Sequence, residues 1–250
     1  MLFSRDHRIL VTGASSGIGR AIALRCNALG ATVIANGREE NRLREAREQA
    51  ANAEAFALEA LDLTSDMEAL PKWVTRLRER YGKLGGFVHA AGLGLTAPLL
   101  MYNLEEAGKL FDIHVHAPML LAKGFADRRN TIGKGAAMLF MGSSGAVIPQ
   151  RAKLVYASAK GAQITAARCL AKELAPRGIR VNSISPALVE TPMLEGFRTM
   201  LGEESFTAEK EQYPFGLGQP EDVAALACFL LSEESRWITG QNIIMDGGRY

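Results

Sequence analysis

Short β-branched or apolar runs alternate along the chain with longer stretches in which apolar residues return every three or four positions. Strands are predicted at 8–12, 31–35, 55–58, 86–89, 136–141, 179–184 and 242–245. Helices are predicted at 17–29, 39–51, 66–81, 103–126, 154–175 and 220–231. Met67, Leu70, Val74 and Leu77 show the helical period well. The fourth helix is expected to be interrupted near Pro118, and Pro176 with Gly178 ends the fifth. Repeated β–α alternation of this kind predicts an α/β fold, a doubly wound parallel sheet with helices on both faces. No linker, repeat or low-complexity stretch divides the chain, so a single domain is expected over 1–250. The segment 188–218 has no clear period and carries Met193, Leu194, Phe197, Met200, Leu201 and Phe206 among charged residues. It reads as a substrate lid beyond the carboxyl ends of the strands, where ligands bind in such sheets. An irregular packed connection is the other reading.

The 250 residues are 48% hydrophobic and 22% charged, the balance of a soluble globular protein, which excludes disorder, collagen and coiled coil. With 29 basic and 27 acidic residues the net charge is +2, too small to gather nucleic acid or anionic lipid, so neither is expected as a partner. Cys26, Cys169 and Cys228 form no CxxC or Cys/His cluster, so no disulfide frame and no metal site is expected. They read as buried free thiols in a reducing compartment. The N-terminus has no apolar signal core, and no apolar run reaches the roughly 18 residues of a membrane span. A cytoplasmic protein is expected.

Thr12-Gly-Ala-Ser-Ser-Gly-Ile-Gly19 lies where the first strand ends and the first helix begins. Gly13 permits a tight turn, Gly17 lets backbone approach a pyrophosphate, and Gly19 lets helix pack on strand. Free N–H groups at the helix start then face the anion. After the second strand comes Asn36-Gly37-Arg38, where an NAD site usually has a carboxylate for the ribose hydroxyls. Gly37 cannot serve, whereas the fork of Arg38 can pair with a 2′-phosphate, so NADP(H) is favoured over NAD(H). Asp62 is placed to accept from an adenine amino group, or is simply a helix-start acid.

Tyr156 and Lys160 stand four apart near the start of a predicted helix and so share a face. A lysine ammonium favours the phenolate and brings a phenol nearer to neutrality, which suits acid–base work on an alcohol or ketone. Ser143 ends a strand and can donate to a carbonyl oxygen that gains charge during hydride addition; Ser144 competes for the role.

Together these parts resemble the short-chain dehydrogenase/reductase family of the compact type. The resemblance is carried by TGASSGIG at 12–19, HAAG at 89–92, Ser143, YASAK at 156–160, SPALVETPM at 185–193 and ITGQNIIMDGG at 238–248. It spans essentially the whole chain and is most similar to the 3-oxoacyl-[acyl-carrier-protein] reductase type. It implies a seven-stranded Rossmann sheet, assembly as a homotetramer or homodimer, and transfer of the pro-S hydride of the nicotinamide to a ketone. Tyr156 is then the acid/base and Ser143 holds the substrate oxygen. Lys160 lowers the tyrosine pKa and bonds the nicotinamide ribose. Gly13, Ser15, Ser16, Gly17, Ile18, Gly19, Arg38, Asp62, Leu63, Ala90, Gly92, Pro186, Val189 and Thr191 fall at the cofactor. The substrate is a carbonyl or alcohol, either a free small molecule or one carried on an acyl-carrier protein.

Several positions depart from the family pattern. His114 stands where the family has an asparagine of the proton relay; either it preserves that role or its bulk slows proton delivery. His89-Ala90 replaces Asn-Asn, removing a side chain that ties neighbouring strands, and Ala187 replaces a glycine. Arg128, Arg129 and Arg177 lie where acyl-carrier reductases present basic residues, although basic residues at helix ends are common for dipole reasons alone. His114 is also the one support for a different class of function, a nucleotide-binding scaffold or sensor without efficient turnover. The intact Ser/Tyr/Lys set argues for the enzyme, and no second substrate domain follows to suit an epimerase or dehydratase.

Overall fold

From Ile9 to Thr12 every residue of the first strand is buried, as a strand covered on both faces requires. The computed structural model describes residues 2–148 and 150–250. Within them seven strands form one sheet: β1 (Arg8–Thr12), β2 (Thr32–Gly37), β3 (Phe56–Ala60), β4 (Leu84–His89), β5 (Ala137–Met141), β6 (Arg180–Pro186) and β7 (Asn242–Met245). Their order is β3-β2-β1-β4-β5-β6-β7, with every neighbouring pair parallel. The helices are α1 (Gly17–Ala28), α2 (Glu40–Glu48), α3 (Leu70–Tyr81), α4 (Leu104–Phe111), α5 (Ala117–Ala126), α6 (Leu154–Leu174), α7 (Pro192–Leu201), α8 (Glu203–Lys210) and α9 (Pro220–Leu231). This is the parallel sheet with helices on both faces that the alternation predicts, in the seven-stranded Rossmann form that the resemblance implies.

Side chains alternate across each strand, so one apolar run feeds two cores. Ile9, Val11, Val33, Val88 and Leu139 point to the side of α1, α2 and α9, where Ile22, Leu43 and Val223 meet them. Leu10, Ile34, Phe87, Met138 and Phe140 point to the other side, against Val74 of α3, Leu121 and Phe125 of α5 and Ala167 of α6. No helix of the described residues is long and apolar enough to cross a membrane.

Four expectations are corrected or refined. The β2 strand runs to Gly37, past the predicted end at 35, because Asn36 is satisfied inside the sheet: its amide donates to the carbonyls of Glu59 and Leu61 at 3.0 and 3.1 Å. The interruption of the long fourth helix near Pro118 is a π-turn, Asp112–His116, that ends two residues before the proline. That proline sits in the first turn of α5. The segment 188–218 contains α7 and α8, with Leu194, Phe206, Tyr213 and Leu217 forming a small core of their own. Finally, Cys26 and Cys228 are buried as expected but lie together as free thiols, with sulfurs in a hydrogen bond of 3.5 Å, whereas Cys169 is exposed. The hydrogen bond to Cys228, with burial, pushes the Cys26 thiol well up and keeps it a thiol.

Candidate active site

Neighbouring strands β1 and β4 sit where the strand order reverses, which opens a crevice beyond their carboxyl ends. The chain leaves β1 through Gly13, whose φ of +69° belongs to glycine, and a Cβ there would come within 2.7 Å of the Ala91 nitrogen. A Cβ on Gly19 would stand 2.2 Å from the Gly13 carbonyl oxygen, so α1 packs on the turn only through glycine. Gly17 faces the Thr191 side chain, whose methyl lies 3.1 Å from where its Cβ would be. Ser16 precedes α1 in extended conformation and gives it no side-chain cap, which leaves first-turn N–H groups for an anion.

This turn forms one wall of a cavity of about 590 Å³. Gly13, Ser15, Ser16, Gly17, Ile18 and Gly19 line it, as do Arg38, Asp62 and Leu63, and Ala90, Gly92 and Thr191. Arg38 is exposed and makes no hydrogen bond or ion pair among the described residues. Asp62 accepts from the amide and hydroxyl of Thr64, both at 2.8 Å, and these bonds hold its carboxyl below the usual range. Sequence reasoning missed Glu39 and Arg42, an ion pair at 3.2 Å on the same wall. Gly37 is explained by packing, because a Cβ there would press the Ser15 side chain at 3.1 Å. An open helix start, a glycine cradle and the unpaired Arg38 guanidinium on one cavity fit a dinucleotide.

A second cavity of about 410 Å³ shares Ile18, Ala90, Gly92 and Thr191 with the first, so the two are continuous. Ser143, Tyr156, Lys160, His114, Pro186 and Val189 all line it. Ser143 follows β5 and accepts from the Gly145 amide at 3.2 Å. Ser143 also works to lower the Tyr156 pKa, an effect Ser144 does not exert. Tyr156 and Lys160 are one turn apart on α6, with the amine 5.9 Å from the phenol ring centroid. Lys160 donates to the Met141 carbonyl at 2.6 Å. Against the expectation that Lys160 brings the phenol nearer neutrality, burial raises the Tyr156 pKa, with Ser143 working the other way, and burial pushes the Lys160 ammonium down to about 7. Thr191 caps α7 and donates to the Val189 carbonyl at 3.1 Å.

Both histidines of the region are buried. The expected loss of a strand tie at His89 does not occur. Its Nδ1 meets the Thr12 hydroxyl at 3.0 Å and its Nε2 the Ile113 carbonyl at 2.9 Å, joining β1 to the π-turn. Burial, with the charge of Lys160, lowers its pKa to about 3. His114 donates from Nε2 to the Leu93 carbonyl at 2.8 Å, and its Nδ1 is buried without a partner among the described residues. Burial holds its pKa well below the ordinary value, so this ring is neutral too. Gly92 makes room for it, since a Cβ there would lie 2.4 Å from the His114 Cε1. Arg128, Arg129 and Arg177 line neither cavity, and Arg129 is held by Asp127 at 2.7 and 3.0 Å.

Residues 13–249 match the family described as Enoyl-(Acyl carrier protein) reductase. A 3-oxoacyl-[acyl-carrier-protein] reductase of Thermotoga maritima is 31% identical over 248 residues, covering 96% of each chain. A short chain dehydrogenase from Burkholderia cenocepacia, solved in complex with NADP, is 31% identical with a TM-score of 0.86 over 98% of both chains. A 3-ketoacyl-(acyl-carrier-protein) reductase from Brucella melitensis, complexed with NADH, is 28% identical with a TM-score of 0.84, covering 97% of this chain and 98% of its own. With the sheet order, the glycine turn and the Ser/Tyr/Lys set, these matches make the chain a member of the short-chain dehydrogenase/reductase family of oxidoreductases.

Proposed function

We propose that the protein is an NADP(H)-dependent reductase of ketones, akin to 3-oxoacyl-[acyl-carrier-protein] reductases, with Tyr156 as general acid/base. The observation that carries this reading is the meeting of Ser143, Tyr156 and Lys160 in a cavity continuous with the one beneath the glycine turn. A bound nicotinamide supplies the hydride. Ser143 and Tyr156 hold the carbonyl oxygen between two hydroxyls. Because burial raises its pKa, the phenol is protonated at neutral pH and ready to donate as that oxygen gains charge. Lys160 lies near the ring, and its charge stabilises the phenolate left behind. The N–H groups after Ser16 take the pyrophosphate, Arg38 the 2′-phosphate and Asp62 the adenine edge.

Met193, Leu194, Phe197 and Met200 of α7 line the substrate cavity, which supports 188–218 as its lid. Leu99, Leu100, Met101 and Leu104 are exposed side by side, which supports assembly as a homotetramer or homodimer. A cytoplasmic setting accords with the adjacent Cys26 and Cys228 remaining free thiols. Docking of an acyl-carrier protein has weaker support, because Asp127 engages Arg129. The test is oxidation of NADPH and of NADH against a panel of ketones. Turnover with NADPH preferred is expected. Binding of NADPH with no turnover of any ketone would favour the scaffold reading instead.

A further inference from the structure

We propose that Lys153 makes this enzyme a reductase of keto acids, by binding a substrate carboxylate a few bonds from the carbonyl that Ser143 and Tyr156 hold. The inference rests on the ketone-reducing reading above and names its substrate class. Lys153 directly precedes α6, one turn before Tyr156, and lines the same cavity. Its ammonium lies 5.8 Å from the Tyr156 ring centroid and 4.6 Å from that of Phe197 on α7, and it donates to the Thr96 hydroxyl.

Lys153 is half-buried and has no carboxylate partner among the described residues. Burial alone pushes its pKa down. Lys109, by contrast, stands in solvent and holds Glu105 at 2.6 Å. A charge drawn part-way out of water without a counter-charge is unfavourable, and a bound anion relieves that cost. An ammonium has three donors, of which Thr96 takes one, so donors remain for a carboxylate. A neutral thioester carbonyl would leave the charge uncompensated.

The backbone holds this amine in place. Ala152, the residue before it, has φ of +60°, and it is the one non-glycine residue among those described with positive φ. Such a conformation is disfavoured for alanine and persists only where neighbours enforce it. Here the Ala97 amide donates to the Ala152 carbonyl at 2.8 Å, while Thr96 next to it takes the lysine. Two adjacent residues of one loop thus fix both the strained turn and the ammonium at the cavity wall. Leu95, Met193, Phe197 and Met200 supply apolar surface for a short chain. In the reaction the ketone carbon gains the hydride, its oxygen takes the Tyr156 proton, and the carboxylate passes unchanged into a hydroxy acid.

Acetoacetate and methyl acetoacetate are the probes. The wild type is expected to favour the acid over the ester in kcat/KM by about tenfold or more, the scale of one charge-assisted contact. Lys153→Met is expected to bring that ratio near one, mainly through a higher KM for the acid, and Lys153→Arg to restore the preference. Turnover of the ester by Lys153→Met shows that the variant is folded. A wild type that takes the ester as well as the acid, or a Lys153→Met that keeps the ratio, overturns the carboxylate assignment and leaves the ketone-reducing reading standing. Turnover of neutral ketones with neither probe accepted overturns it as well. Absence of turnover with any ketone defeats the underlying reading.

Discussion

The imidazole of His114 meets the ring of Tyr156 edge-on, with centroids 5.7 Å apart and planes at 87°. The contact comes from the π-turn, which shifts the helix register so that His114 faces the α6 tyrosine while bonding Leu93. It bears on where the phenol points. We expect His114→Ala to lower kcat for ketone reduction roughly ten- to a hundredfold, as a small misplacement of an acid does. Steady-state kinetics alongside a fluorescence titration of NADPH checks this, with the dissociation constant holding while kcat falls. An unchanged kcat would remove His114 from the positioning of Tyr156.

Arg38 lines the cavity beneath the glycine turn and has no hydrogen-bond or ion-pair partner among the described residues. A bidentate charge-assisted contact is worth about 1.5–3 kcal/mol. Arg38→Ala is therefore predicted to weaken NADPH binding by about tenfold or more and to spare NADH. Equal losses in paired titrations would show that Arg38 does not read the 2′-phosphate.

At Gly19 the backbone of the turn leaves no space for a methyl group. We expect Gly19→Ala to cost roughly 1–3 kcal/mol of stability, the usual range for overpacking, and to impair nucleotide binding in the same variant. Urea unfolding with and without NADPH measures both. A variant as stable as the wild type would mean that α1 moves off the turn at little cost.

Stability should fall in mild acid because His89 is buried neutral. Its pKa is about 3 in the folded chain and near 6.5 when unfolded, so between those values the unfolded state binds the extra proton. Its contribution is complete above pH 6.5 and is lost at about 1.4 kcal/mol per pH unit as the pH falls toward 3. His114, also lowered by burial, adds in the same direction. Urea midpoints at pH 7 and 5 are predicted to differ for the wild type and to differ by less for His89→Asn, in which His114 remains. A wild type equally stable at both pH values would contradict a neutral buried ring.

Much of the site is legible in the sequence because it is local. The glycine turn and the Tyr156–Lys160 pair are written within eight and five consecutive residues, and the strand period places each at a strand end or helix start. What escaped the sequence depends on distant partners. The tie made by His89 needs Thr12 and Ile113, far apart in the chain. Lys153 gains meaning only from Thr96, which is 57 residues away. The helices α7 and α8 escaped for another reason. Gly202 separates two short pieces, each with one buried residue, Leu194 and Phe206, so no sustained period develops.

Ketone-dependent oxidation of NADPH by Tyr156→Phe tests the proposed chemistry most directly. Removing one hydroxyl keeps the ring against His114 and leaves the nucleotide cavity as it is. The account predicts that NADPH still binds while ketone reduction falls by about 10²-fold or more, the usual contribution of a positioned general acid. Reduction by Tyr156→Phe at the wild-type rate would contradict it.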